Sequence, residues 1–187
     1  FGAIVSLVLG IGMTVSACYI FLAIVLAPAI IEGGISPLAA HLYVLYWGVL
    51  SFITPPVAIA AITASSIANT SALKTGFLSM RLGSILFFLP VLFVFDPAML
   101  MQGKISDVIL SFTIAIFAII VISSAFEGYI YFFGKINYLF RMLYFLAGIL
   151  ILIPYLISKY VGFSILIIML LLLLFTRLYN KRLSIKN

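Results

Sequence analysis

The chain has 187 residues, 66% of them hydrophobic and 7% charged, with ten Lys and Arg against four Asp and Glu and a mean hydropathy of +1.42. Such a composition excludes a soluble domain, which needs charged faces this chain lacks, and the +6 charge sits at the ends of apolar runs rather than on a nucleic-acid face. The single cysteine, Cys18, forms no internal disulfide and has no Cys or His cluster beside it for a metal site.

Between the charges lie uncharged runs long enough to cross a ~30 Å hydrocarbon core, so the chain reads as an all-α polytopic membrane protein. Phe1 already lies in an apolar run, without a basic leader or cleavage site. The expectation is the C-terminal portion of a longer chain, not a signal peptide.

Residues 2–31 are uncharged, too long for one upright span and too short for two. A re-entrant hairpin with its tip in GIGMTVSACY, Gly10 to Tyr19, fits them, because glycines weaken a helix and Thr14 and Ser16 can satisfy backbone groups freed at a turn. A single tilted helix with a glycine packing face fits them equally.

Glu32 to Pro37 forms a turn, with Ser36-Pro37 a helix start. A helix over 38–68 must then break near Thr54, because SFITPPV, Ser51 to Val57, places two prolines in its middle. Backbone freed at membrane depth is tolerated only where it faces protein or a water-filled cavity.

Further apolar spans follow at 77–95, 108–126, 139–158 and 160–176, and the aromatic loop Glu127 to Phe140 reads as an interfacial belt. If each span crosses, Lys74, Arg81, Lys135, Arg141, Arg177, Lys181, Arg182 and Lys186 share one side, and Lys104 and Lys159 take the other. Eight against two places the first group, and the C-terminus, in the cytoplasm.

A broken helix beside a re-entrant hairpin is a recurring way to build ion and substrate sites in secondary transporters. Unwound carbonyls suit a cation, and half-helix N-termini suit an anion. The candidate site residues are Gly12, Met13, Thr14 and Ser16 at the tip, with Ala17 beside them, and Ile53, Thr54 and Pro55 at the break, with Phe52 beside them. No carboxylate lies in 2–31 or 38–73 to act as a proton carrier, so these neutral oxygens favour sodium as the coupling ion. Thr14 and Ser16 serve equally as caps of the hairpin helices. His41, Tyr46 and Trp47 read as packing residues, Lys74 and Arg81 as cytoplasmic anchors, and Glu127 as interfacial.

Three stretches carry a resemblance: GIGMTVSACYIFLAIVLAPAI, GISPLAAHLYVLYWGVLSFITPPVAIAAITASSIA and ALKTGFLSMRLGSILFFLPVLFVFDPAML. Together they resemble the large membrane subunit of tripartite ATP-independent periplasmic (TRAP) transporters, in particular the fused permease of the TAXI-type branch, over residues 2–103. The family tip commonly reads GMGMPTTAAY. This chain keeps Gly10, Gly12, Met13, Ala17 and Tyr19 and has Ser16 for the second threonine, but it carries Thr14 for the usual proline and Val15 for the usual threonine.

The resemblance implies the C-terminal part of the permease domain over 1–103, the second of two inverted repeats in an elevator-type fold of the ion-transporter superfamily, with a transmembrane extension and basic tail over 104–187. It further implies a sodium symporter in a bacterial or archaeal inner membrane. Such a symporter takes up organic acids, such as dicarboxylates, keto acids or amino acids, from a periplasmic substrate-binding protein. Sodium is then the coupling ion, with no other cofactor, no nucleic-acid partner and no enzymatic activity. A non-coupled channel or a structural membrane subunit is the competing class.

Overall fold

The structure, a computed structural model, describes the backbone of residues 1–56, 58–131 and 133–186, and side chains as far as residue 175. Val57 of the proline motif and the side chains of the basic tail therefore lie outside the described residues. The chain divides into two compact units, Phe1–Ile109 and Leu110–Asn187.

In the first unit, α1 (Gly2–Leu9) and α2 (Val15–Val25) are the arms of a helical hairpin, continued by α3 (Ala27–Glu32) and followed by α4 (Pro37–Leu50). A Cβ added at Gly2 would lie 3.3 Å from the Tyr43 ring and 3.9 Å from Ile30, whereas one added at Gly10 would meet Gly48 and Ser51. The hairpin thus enters and leaves beside the start of α4 and turns beside its end. A single tilted helix over 2–31 is excluded.

The turn is tighter than the expected Gly10–Tyr19 tip. Thr14 is extended, with its side chain accepting from the Ala17 N–H, so α2 already begins at Val15 and holds Ser16, Ala17 and Tyr19 in helix. Gly12, at φ +76, supplies the left-handed residue that the reversal requires. Cys18, Leu22, Ala27 and Val44 form the buried core between hairpin and α4, with Leu9, Met13 and Tyr43 packed around it.

The expected helix over 38–68 is interrupted, and its first half stops at Leu50, ahead of the prolines. Successive i to i+3 bonds carry the backbone through Ser51, Phe52, Ile53 and Thr54. Beyond the cis Pro55-Pro56 bond and the left-handed Ala58, α5 (Ile59–Ile67) resumes.

The single helix expected over 77–95 is corrected. It is two pieces, α6 (Ala72–Leu82) and the segment Ser84–Phe95, a 3₁₀ turn followed by α7 (Leu89–Phe95), bent by 71°. Gly83 ends α6 and Pro90 lies in the first turn of α7, so both local signals oppose one continuous helix. Tyr46 and Trp47 pack on this segment, against Phe93 at 5.2 Å and Phe87 at 5.8 Å between ring centroids.

The second unit takes in most of α8 (Ile105–Glu127), then a two-residue antiparallel strand pair, β1 (Tyr129–Ile130) with β2 (Gly134–Lys135), α9 (Tyr138–Leu152) and α10 (Leu156–Lys186). The expected span 139–158 ends early, at Leu152. Pro154 forces Ile153 into an extended conformation at ψ 127, and α10 starts at Leu156 rather than near Tyr160. Lipid gives apolar side chains little reason to leave it, so helices associate through close backbone approach. A Cβ at Gly148 would fall 2.5 Å from Ile122, and one at Gly162 2.7 Å from Ile151, so both positions are filled by the neighbouring helix. Among the described residues, α8 and Leu156–Phe175 of α10 are long and apolar enough to cross a membrane, and the bent α6–α7 pair is a third candidate.

Candidate functional site

The two interruptions meet. Ser51 is buried at the end of α4, and its Oγ lies 2.7 Å from the carbonyl oxygen of Gly48 and 3.0 Å from that of Gly10. A hydroxyl has one proton, so Ser51 shares it between its own helix and the end of α1. The approach needs two bare backbones. A Cβ at Gly10 would sit 2.6 Å from the Gly48 oxygen, and a Cβ at Gly48 would sit 2.7 Å from Cys18 Sγ.

Around this contact, Ile4, Leu7, Val8 and Ile11 of the hairpin face Ser51, Thr54, Pro55 and Pro56 of the break across a cavity of about 220 Å³. Thr54 Oγ1 donates to the Leu50 carbonyl at 2.7 Å, which keeps both lone pairs of its oxygen pointed away from that bond. Pro55 packs where α6 passes at Gly76, and Ile53 packs beside Gly83. Ala58 is buried and left-handed at φ 37, a conformation costing an L-residue ~1–2 kcal/mol that the packing around the break sustains.

The other tip residues lie apart from this cavity. Gly12, Thr14 and Ser16 are exposed on the turn and the first turn of α2, and Met13 turns inward onto the Cys18–Leu22–Val44 core. Of the sequence-predicted residues, Thr54 and Pro55 line the cavity directly, Ile53 supports it, and the tip set does not reach it. Ser51 and Gly10 lie inside the two sequence motifs without standing among the candidate site residues, and Gly48 lies in neither. The available signal was a buried-helix serine with glycine three residues earlier, a pattern too common to single out without its partner.

Each of the hairpin and the broken helix contributes one carbonyl-ending and one amide-starting helix end. Helix C-termini carry partial negative charge, so the ends of α1 and α4, which meet at the Ser51 contact, can attract a cation there. No group of three or more His, Cys, Asp or Glu that could hold a metal occurs among the described residues. A cation here would depend on carbonyls and hydroxyls. His41 is engaged in packing, its Nδ1 3.1 Å from the Tyr19 hydroxyl of α2.

Residues 2–108 match the family model of the tripartite ATP-independent periplasmic transporter, DctM component. The chain belongs to this family. The matched residues fall within the first unit, so the hairpin, the broken helix and the bent α6–α7 pair all lie in the DctM region. The protein is accordingly a multi-pass membrane protein, a permease subunit of a TRAP transporter. A search of curated proteins found no match, and neither did a search of solved structures.

Proposed function

We propose that this DctM chain supplies one wall of the transport site in a sodium-coupled permease that takes up an organic acid delivered by a periplasmic substrate-binding protein. The observation that carries the reading is the docking of the end of α1 on the end of α4 through Ser51 and Gly10, which sets two carbonyl-ending helix ends and the Thr54 hydroxyl beside one cavity. Sodium fits neutral oxygen donors, and a carboxylate substrate fits the amide ends of α2 and α5. On this reading the hairpin is re-entrant, residues 1–103 form the second inverted repeat of an elevator-type transporter of the TAXI branch, and 104–187 is its transmembrane extension.

Orientation follows from the bent α6–α7 pair. If that pair crosses the membrane, the basic residues divide eight to two, as counted from the sequence. If it re-enters, Lys74, Arg81, Lys104 and Lys159 share one side against Lys135, Arg141, Arg177, Lys181, Arg182 and Lys186, a division of four to six. The positive-inside rule favours the strong asymmetry, hence a crossing pair and a cytoplasmic C-terminus in an inner membrane.

The deciding experiment reconstitutes the complete permease with its binding protein in vesicles. Uptake of the organic acid requires an inward sodium gradient. Undiminished uptake with potassium replacing sodium on both sides overturns the coupling, and uptake that follows the substrate gradient alone favours a non-coupled channel.

A further inference from the structure

We propose that the second unit holds a binding site for one anionic phospholipid, seated at Arg141. The side chain lies in the first turn of α9 and reaches across to the end of α8, donating from Nε to the Ala125 carbonyl at 2.9 Å and from Nη2 to the Phe126 carbonyl at 2.6 Å. Gly128, at φ +68, lets the guanidinium lie against the chain, since a Cβ there would come within 3.1 Å of it. The cation thus closes the negative end of the α8 dipole.

Two of the five guanidinium N–H groups are used in this way, which leaves three without a protein acceptor among the described residues. Arg141 lines a groove of about 290 Å³ together with Ala125, Phe126, Tyr138, Met142 and Phe145. The groove lies where the 23-residue α8 span ends, which is headgroup depth for a helix of that length. A polar donor beside an apolar, membrane-facing slot calls for an occupant with an anionic head and a hydrocarbon body. A phospholipid phosphate on the guanidinium, with an acyl segment along Phe126, Met142 and Phe145, meets both demands. Lys135, exposed on β2, adds a second cation at the same end of the unit, and Glu127 is not among the lining residues. The groove is too small for a whole lipid, so the site selects by headgroup and first acyl segment.

The test uses the full-length permease, delipidated in mild detergent and given phosphatidylglycerol or phosphatidylcholine with identical chains, with bound lipid counted by native mass spectrometry. Phosphatidylglycerol is retained over phosphatidylcholine by about fivefold, the scale of one basic side chain at an anionic surface. Arg141→Gln removes that preference. Met142→Trp fills the groove without touching the carbonyl contacts, and it lowers phosphatidylglycerol retention while the unfolding temperature in lipid-free detergent stays unchanged. Equal retention of the two lipids by the wild type, or undiminished retention by Met142→Trp, reduces Arg141 to a helix-end staple and overturns the proposal. Displacement of the lipid by millimolar inorganic phosphate overturns it as well, since the groove would then contribute nothing.

Discussion

The Ser51 hydroxyl lies 3.0 Å from the Gly10 carbonyl oxygen, forty-one residues away in the chain, and ties the end of one hairpin arm to the end of the helix that breaks. Both groups are buried, and without the hydroxyl the Gly10 carbonyl keeps only the longer bond from the Met13 N–H, at 3.5 Å. Ser51→Ala is expected to cost about 1–1.5 kcal/mol of unfolding free energy. Denaturation of the purified permease in mixed micelles checks this, and a loss confined to a few tenths of a kcal/mol contradicts it.

Gly48 and Cys18 form the second fixed point of the hairpin. Gly48→Ala drives a methyl group to within 2.7 Å of Sγ, an overpacking expected to cost about 1–3 kcal/mol. Cys18→Ala in the same chain should recover part of that, so the pair is non-additive in a double-mutant cycle. Strict additivity would place the strain elsewhere.

Because Cys18 is 2% exposed, it also reports on docking. Its thiol should resist a membrane-permeant maleimide in the folded permease and react faster in Gly10→Ala, where the added Cβ would lie 2.6 Å from the Gly48 oxygen. Identical labelling rates in the two proteins would mean that Gly10 does not hold the hairpin against α4.

Thr54 separates site from scaffold. Its hydroxyl bonds the Leu50 carbonyl at 2.7 Å, so Thr54→Ser retains both the bond and the oxygen, and Thr54→Val removes both at nearly constant volume. On the proposed reading, Thr54→Val raises the sodium concentration for half-maximal uptake by about tenfold, the equivalent of one lost charge-assisted contact, and Thr54→Ser restores it. A parallel fall in the amount of folded protein with an unchanged sodium requirement would assign Thr54 to structure alone.

His41 is expected to be dispensable for coupling. Its contact with Tyr19 at 3.1 Å is one side-chain hydrogen bond, and Tyr19→Phe should cost about 0.5–1.5 kcal/mol of stability. Sodium-driven uptake by His41→Gln should persist at near wild-type rate, and its abolition would point to a proton relay.

What the sequence alone determined is what local covalent chemistry and solvent preference control. Hydropathy made the chain a membrane protein, and Pro55 and Pro56 placed a break near Thr54 by removing donors, although the helix itself stops earlier, at Leu50. Residues 2–31 alone fitted a hairpin and a single tilted helix equally, and the structure has the hairpin. The motif order carried the DctM family assignment. The bend at Gly83 and the stop before Pro154 were also written locally, but they lay inside strongly apolar runs whose length outweighed them. Only the tertiary structure decided that Gly10, Gly48 and Ser51 meet, that Met13 turns into the core while Thr54 faces the cavity, and that Arg141 spans to α8. Those outcomes depend on which bare backbones approach within contact distance. A glycine looks the same in sequence whether it faces lipid or a carbonyl 2.6 Å from where its side chain would begin.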